Sequence, residues 1–119
     1  MTGTRQSIGR RGEELAAAFL RTKGFRIVAQ NWRCRLGEID LIVERDGDVR
    51  FVEVKTRLST EFGFPEEAIT RAKRQHFSRA IECWLRASSW EPRSYQADAL
   101  AILLRQNQAP DIRWIEGIL

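Results

Sequence analysis

Two segments rich in isoleucine and valine, residues 36–44 and 49–56, are joined through Asp46 and Gly47, and this junction constrains the fold most. Asp-Gly between two such segments is the strongest short-range signal for a β-hairpin, because both central positions of the favoured two-residue turn need positive φ. We therefore expect two antiparallel strands at the centre of the fold.

The length of that turn decides which side chains meet across the hairpin. With a two-residue loop, Arg45 faces Asp48, and pairing outward from there sets Asp40 opposite Glu53. Side chains alternate between the two faces of a sheet. The face expected in the core consists of Ile39, Leu41, Val43, Val52 and Val54. The other face is expected to carry Glu38, Asp40, Glu53 and Lys55, with Ile42 and Phe51 beside them. A four-residue loop keeps this pairing, whereas a three-residue loop breaks it.

The remaining segments predict one domain over residues 1–119 with the element order α-β-β-β-α-β-β. A first helix is expected from Ser7, a good N-cap, to a stop at Gly24, after a loose tail of residues 1–6. A second helix is expected to open at Pro65 and to end before Pro92. The strands are expected at residues 25–33, 36–44, 49–56, 95–104 and 112–116.

Composition bounds the class of protein. The 119 residues suit one globular domain, and the net charge of +4 is carried by 17 arginines and three lysines. Arginine suits bidentate recognition of phosphate, so the composition is compatible with a nucleic-acid partner. The absence of a signal peptide and of a membrane-length apolar segment favours a cytoplasmic protein that does not bind a membrane. Cys34 and Cys83 form no metal-binding motif and are expected to be reduced, partly buried thiols.

The charged face of the hairpin predicts metal-dependent chemistry. Directly opposed carboxylates destabilise a sheet, so Asp40 and Glu53 require compensation, which a hard divalent cation such as Mg²⁺ or Mn²⁺ would supply. Lys55 lies on the same face, where it is placed to stabilise charge or to position a water. Glu13, at the edge of the apolar stripe of the first helix, is a candidate third acid. The alternative is a solvent-facing hairpin surface that only happens to carry charge.

Further charged residues surround this patch. Glu38 is either an additional metal ligand or the ion-pair partner of Lys55 or Arg33. Lys73 lies near the apolar stripe of the second helix, where it either extends its ammonium group to the surface or contacts a phosphate. Three arginines flank the acids and are candidates for phosphate contact: Arg33, Arg35 and Arg57.

The spacing Asp40…Glu53-Val54-Lys55 on a hairpin, after a helix with Glu13, resembles the PD-(D/E)xK nuclease superfamily and, within it, archaeal Holliday-junction resolvases. More closely, the chain resembles the YraN-like uncharacterised family, whose members are usually described as candidate endonucleases. Four segments carry this resemblance: Gly9–Glu13, Asn31–Ile42, Phe51–Arg57 and Phe62–Lys73.

This resemblance implies a restriction-endonuclease-like mixed sheet flanked by helices. It implies a metal-dependent endonuclease that hydrolyses DNA, with branched or damaged structures as substrate candidates. Asp40 and Glu53 would be metal ligands, Lys55 the catalytic lysine, and Glu13 the helix acid. Asp98 is assigned no role, because the aromatic residue usual directly before it is absent.

Two other functions remain open from the sequence. The first is a nucleic-acid-binding or adaptor module that keeps the nuclease fold but needs a partner or lacks activity. The second is a protein-interaction domain without a nucleic-acid role. A homodimer would suit a two-stranded substrate, although no segment of the sequence specifies one.

Overall fold

A computed structural model of the chain describes residues 4–59, 63–64 and 69–119. Two helices and five strands follow the predicted order α-β-β-β-α-β-β. The elements are α1 (Arg5–Thr22), β1 (Arg26–Cys34), β2 (Gly37–Arg45), β3 (Asp48–Arg57), α2 (Arg71–Ser88), β4 (Ser94–Leu103) and β5 (Asp111–Ile115). Each strand lies within one residue of its predicted bounds. No helix in this described part of the chain is long and apolar enough to cross a membrane.

The five strands form one mixed sheet in the order β1-β2-β3-β4-β5. The central pair β3 and β4 is parallel, because the chain crosses over through α2, and the other neighbouring pairs are antiparallel. The helices α1 and α2 cover opposite faces, each over its own apolar cluster. The cluster under α1 is built around Leu20, Leu41, Val43, Val52 and Leu100. The cluster under α2 is built around Ile39, Ile42, Phe51, Phe77 and Trp84.

The hairpin turn has the predicted length of two residues. Asp46 and Gly47 have φ values of 52° and 84°, the positive values that the two-residue turn requires. Arg45 pairs with Asp48, and the same register continues to the pair Leu41 and Val52. The turn therefore sets the register that the sequence predicts.

The strand pair β1–β2 departs from a regular ladder at two places: its register shifts between Ile27 and Ala29, and the backbone is unusual at Asn31, in the stretch that faces Asp40. The flanking pairs are Gln30 with Leu41 and Trp32 with Ile39, and Asn31 has a φ of 50°. Beyond this point Ile39 and Trp32 pack under α2, although Leu41 packs under α1. The prediction that Ile39 shares a face with Leu41 is therefore wrong, because the irregularity interrupts the alternation of side chains.

The helix starts differ from those predicted. Thr4, not Ser7, caps α1: its hydroxyl accepts a hydrogen bond of 3.1 Å from the Ser7 backbone N–H. Arg5 and Gln6 are consequently helical rather than part of a loose tail. The second helix begins at Arg71 after the N-cap Thr70, and the opening predicted at Pro65 lies outside the described residues.

Candidate active site

Asp40 lies where the ladder between β2 and β3 ends. Its carboxylate accepts a hydrogen bond of 2.8 Å from the Val54 backbone N–H, so the side chain occupies the gap between the two strands. Burial raises the pKa of Asp40 to about 6; the Val54 N–H opposes this rise, and the charges of Glu13 and Glu53 add to it. The positive charge of Lys55 also opposes the rise, but its effect is smaller than that of burial, so the charge of Asp40 is only partly compensated.

Glu53 is the second acid of the predicted pair. Val52 and Val54 pack under α1, so alternation turns Glu53 and Lys55 towards the other face. The Lys55 ammonium lies 3.3 Å from Glu53 Oε1, while Glu53 Oε2 is buried without a hydrogen-bond partner among the described residues. A buried carboxylate oxygen with no partner is costly, and a cation or a hydrogen-bond donor next to it would lower that cost.

Glu13 approaches the same acids from helix α1. The preceding residue, Gly12, lies so close to β3 that an added Cβ would stand 2.9 Å from the Thr56 Cβ and still closer to the Thr56 hydroxyl. Burial and the nearby charge of Glu38 raise the pKa of Glu13. Because the charge of Glu13 also acts on Asp40, helix and hairpin contribute to one acidic cluster.

Glu38 and Lys55, predicted as cross-strand partners, are paired differently. Glu38 is largely exposed and forms an ion pair with Arg33, with 3.1 Å between Oε2 and Nε. Lys55 pairs with Glu53 on its own strand. Of the two alternatives for Glu38, the structure thus favours the ion pair with Arg33 over a metal ligand.

The second helix brings Lys73 beside Lys55. The charge of Lys55, followed by burial, lowers the pKa of Lys73, and the carboxylate of Glu53 opposes that change. The side chain of Lys73 is exposed. Its ammonium group therefore reaches the surface, where it is also accessible to a phosphate. Lys73 therefore belongs to the charged cluster.

An open cleft of about 810 Å³ lies between the start of α1 and the end of β3. Its lining includes Glu13, Asp40, Lys55 and Arg57, four of the predicted site residues. Arg5 also lines the cleft, and the sequence interpretation missed it because the helix was expected to begin at Ser7. The signal was present in Thr4, an equally suitable N-cap.

The remaining predicted phosphate contacts lie outside this cleft. Arg33 and Arg35 flank a smaller concavity at the β1–β2 turn. Glu38 lies between this concavity and the acids of the cleft: it forms an ion pair with Arg33, and its charge raises the pKa of Glu13. Positive charge therefore lies on two sides of the acids.

The donor set suits a hard divalent cation. Carboxylate oxygens are the protein ligands that Mg²⁺ prefers, usually one or two of them together with waters and substrate oxygens. The partnerless oxygen of Glu53 and the buried charge of Asp40 are the groups that such an ion would satisfy. The described residues contain no group of three acidic, histidine or cysteine side chains arranged to hold an ion, so the protein alone would supply few ligands.

These features define a small α/β protein with acids and a lysine gathered where two central strands separate. The chain belongs to the uncharacterised protein family UPF0102, whose sequence model matches residues 12–102.

Curated relatives cover nearly the whole chain. A UPF0102 protein of Nocardia farcinica is 42% identical over 116 residues, which are 98% of this chain and 91% of the relative. A UPF0102 protein of Caldicellulosiruptor saccharolyticus is 37% identical, covering 95% of this chain and 97% of the relative. A third, from Syntrophomonas wolfei, is 40% identical over 87% of this chain and 90% of its own length. The family assignment thus applies to the whole domain.

Proposed function

We propose that this protein is a metal-dependent endonuclease that hydrolyses phosphodiester bonds in DNA. The observation that carries the proposal is the buried, partnerless oxygen of Glu53 beside Asp40 and Lys55. Two acids whose charge is only partly compensated, together with a lysine, are what a site needs to bind a divalent cation next to a phosphate. The resemblance to the PD-(D/E)xK superfamily supports the same reading.

Asp40 and Glu53 would hold the ion, either Mg²⁺ or Mn²⁺. When bound, this ion would neutralise phosphate charge and make a water more acidic. The protein contributes a fixed position for Asp40, because the hydrogen bond from Val54 locks its carboxylate between the strands. Glu53 is oriented by Lys55 through its other oxygen.

Lys55 and Glu13, which both line the cleft, would act on the substrate. The ammonium of Lys55 can donate a hydrogen bond to a phosphate oxygen and so stabilise the charge that develops during attack. Glu13 lines the cleft and has a raised pKa, which suits a carboxylate that accepts a hydrogen bond from the attacking water. Arg5, Arg57 and Lys73 supply positive charge for the flanking phosphates.

The test is cleavage of duplex, single-stranded, flap and junction DNA, with matched RNA, in Mg²⁺ or Mn²⁺. We expect wild type to cut at least one DNA substrate and Asp40→Ala or Lys55→Ala to lower the rate by roughly 10²-fold or more. A matched control lies on α1. Glu13→Gln should slow cleavage, whereas Glu14→Gln, on the adjacent exposed residue, should leave it unchanged.

Two results would contradict the proposal. One is cleavage by Asp40→Ala or Lys55→Ala at the wild-type rate, which would point to a contaminating nuclease. The other is salt-dependent DNA binding without cleavage that Asp40→Ala leaves unchanged, which would identify a binding or adaptor module.

A further inference from the structure

The turn between β1 and β2 exposes a leucine. Arg35 and Leu36 connect the two strands, and Leu36 is 47% exposed. Neither residue has positive φ, so this turn lacks the conformation that favours two-residue hairpins. The Asp46-Gly47 turn at the other end of β2 has both the residues and the dihedral angles of a stable turn. The stability of the turn therefore does not explain why Arg35 and Leu36 occupy it.

The base of the same turn is fixed on α2. An added Cβ on Gly37 would stand 2.9 Å from the His76 carbonyl oxygen, so the strand touches the helix backbone directly. Across the strand pair Cys34 lies opposite Gly37, and its thiol is hydrogen-bonded to that of Cys83 on α2. The exposed leucine is thus mounted on a rigid support, not on a loose loop.

Positive charge flanks Leu36, and the turn leads into the acidic cluster. Arg33 has a 78% exposed side chain, and Arg35 is also exposed. Arg33 forms an ion pair with Glu38, and Glu38 is close enough to Glu13 for its charge to raise the pKa of Glu13. The turn is therefore near the acidic cluster. An apolar tip that shares a concavity with two arginines matches nucleic acid, whose bases are apolar on their faces and whose backbone is anionic.

We propose that Leu36 is a wedge that enters the DNA substrate where base stacking is already interrupted, at a nick, mismatch or junction, while Arg33 and Arg35 hold the adjacent phosphates. This inference rests on the proposed nuclease function and names its substrate class. Unstacking a base step costs a few kcal/mol in a continuous duplex and least where the stack is already broken. The wedge therefore discriminates in favour of interrupted duplexes.

The experiment measures unstacking and binding without cleavage. In the Asp40→Asn background, a duplex that carries the fluorescent base 2-aminopurine beside a nick is titrated and compared with the continuous duplex. We expect roughly tenfold tighter binding to the nicked duplex, equivalent to about 1.4 kcal/mol, together with a rise in emission at the nick. Adding Leu36→Ser should abolish both the preference and the rise. Leu119→Ser is the matched control, since Leu119 is 58% exposed at the far end of the chain.

The outcomes separate this inference from the proposed function. Cleavage by wild type without a preference for nicked duplex, or an emission rise that persists in Leu36→Ser, overturns the wedge and leaves the nuclease standing. Unstacking that depends on Leu36, in a protein that never cleaves, supports the wedge and overturns the nuclease. Failure to bind DNA at low salt overturns both.

Discussion

At the scale of single residues, the site depends on a carboxylate that the fold holds in an unfavourable place. Asp40 is partly buried, and one hydrogen bond from Val54 only partly offsets the loss of hydration. Both neighbouring acids, Glu13 and Glu53, make its charged form still less favourable. The metal-free protein therefore has a local electrostatic cost that a bound cation would relieve.

This cost predicts a pH-dependent effect of Asp40→Asn. The pKa of Asp40 in the folded protein is about 6, above the value of about 3.9 for an unfolded chain. The folded state therefore binds more protons between these values, and the free energy of unfolding falls as pH rises from about 4 to about 6. Asparagine removes the charge and keeps an acceptor for Val54. Without divalent ions, Asp40→Asn should be more stable than wild type by roughly 1 to 3 kcal/mol at about pH 7.5.

Urea unfolding in a chelator, measured between about pH 4 and pH 8, checks this expectation. The stability difference should shrink towards the acid end, because wild-type Asp40 is protonated there. A difference that stays constant across the whole pH range would show that the charge of Asp40 is not its source.

At the scale of elements, the position of Glu13 depends on how closely α1 approaches β3. Gly12 is buried against Thr56, and this contact leaves no room for a side chain. Gly9 lies one turn earlier on the same helix and has no atom within 4 Å of its added Cβ. Gly12 is therefore needed for close packing, whereas Gly9 makes no such contact and lowers the helix propensity of α1.

The two glycines give a matched pair of substitutions. Gly9→Ala should stabilise the protein by up to about 1 kcal/mol, the gain in helix propensity. Gly12→Ala should destabilise it by roughly 1 to 3 kcal/mol, because α1 must move away from Thr56. Gly12→Ala should also slow the proposed cleavage by displacing Glu13. Thermal or urea unfolding distinguishes the two variants, and equal effects at both sites would contradict the close approach.

At the scale of the whole molecule, one buried carboxylate joins three strands. Asp98, on β4, is fully buried and accepts hydrogen bonds from Arg50 on β3, from Trp114 on β5 and from the Gly117 backbone N–H. Gln96 supplies a fourth donor. None of these partners lines the cleft. Its function is to hold the edge of the sheet.

Asp98→Ala should therefore be strongly destabilising. The change leaves the N–H groups of Trp114 and Gly117 without their acceptor. It also removes the most buried of the carboxylates that pair with Arg50, which keeps Asp48 and Glu116. Loss of these contacts is expected to cost roughly 3 to 5 kcal/mol. Glu116→Ala is the control, since Glu116 also pairs with Arg50 but has a 55% exposed side chain. That variant should lose no more than about 1 kcal/mol. Urea unfolding measures both, and similar losses would contradict the structural role of Asp98.

Local patterns in the sequence were enough to predict the elements and the register of the hairpin. Apolar spacing gave the order of helices and strands, and the Asp46-Gly47 turn placed Leu41 opposite Val52 as expected. These features are local: a turn type is set by two residues, and each strand pairs with its neighbour in the chain. Asp40 and Glu53 could be predicted as site residues because the same turn places them near each other on adjacent strands.

The way in which those acids are held depends instead on contacts between distant parts of the chain. Asp40 turns its carboxylate to the Val54 N–H instead of continuing the ladder, and Ile39 changes face at the irregularity beside Asn31. Glu13, Lys73 and Arg5 reach the site from helices whose placement depends on packing between residues far apart in sequence. Such contacts depend on a close approach like that of Gly12 to Thr56, and the pattern of any single segment does not contain that information.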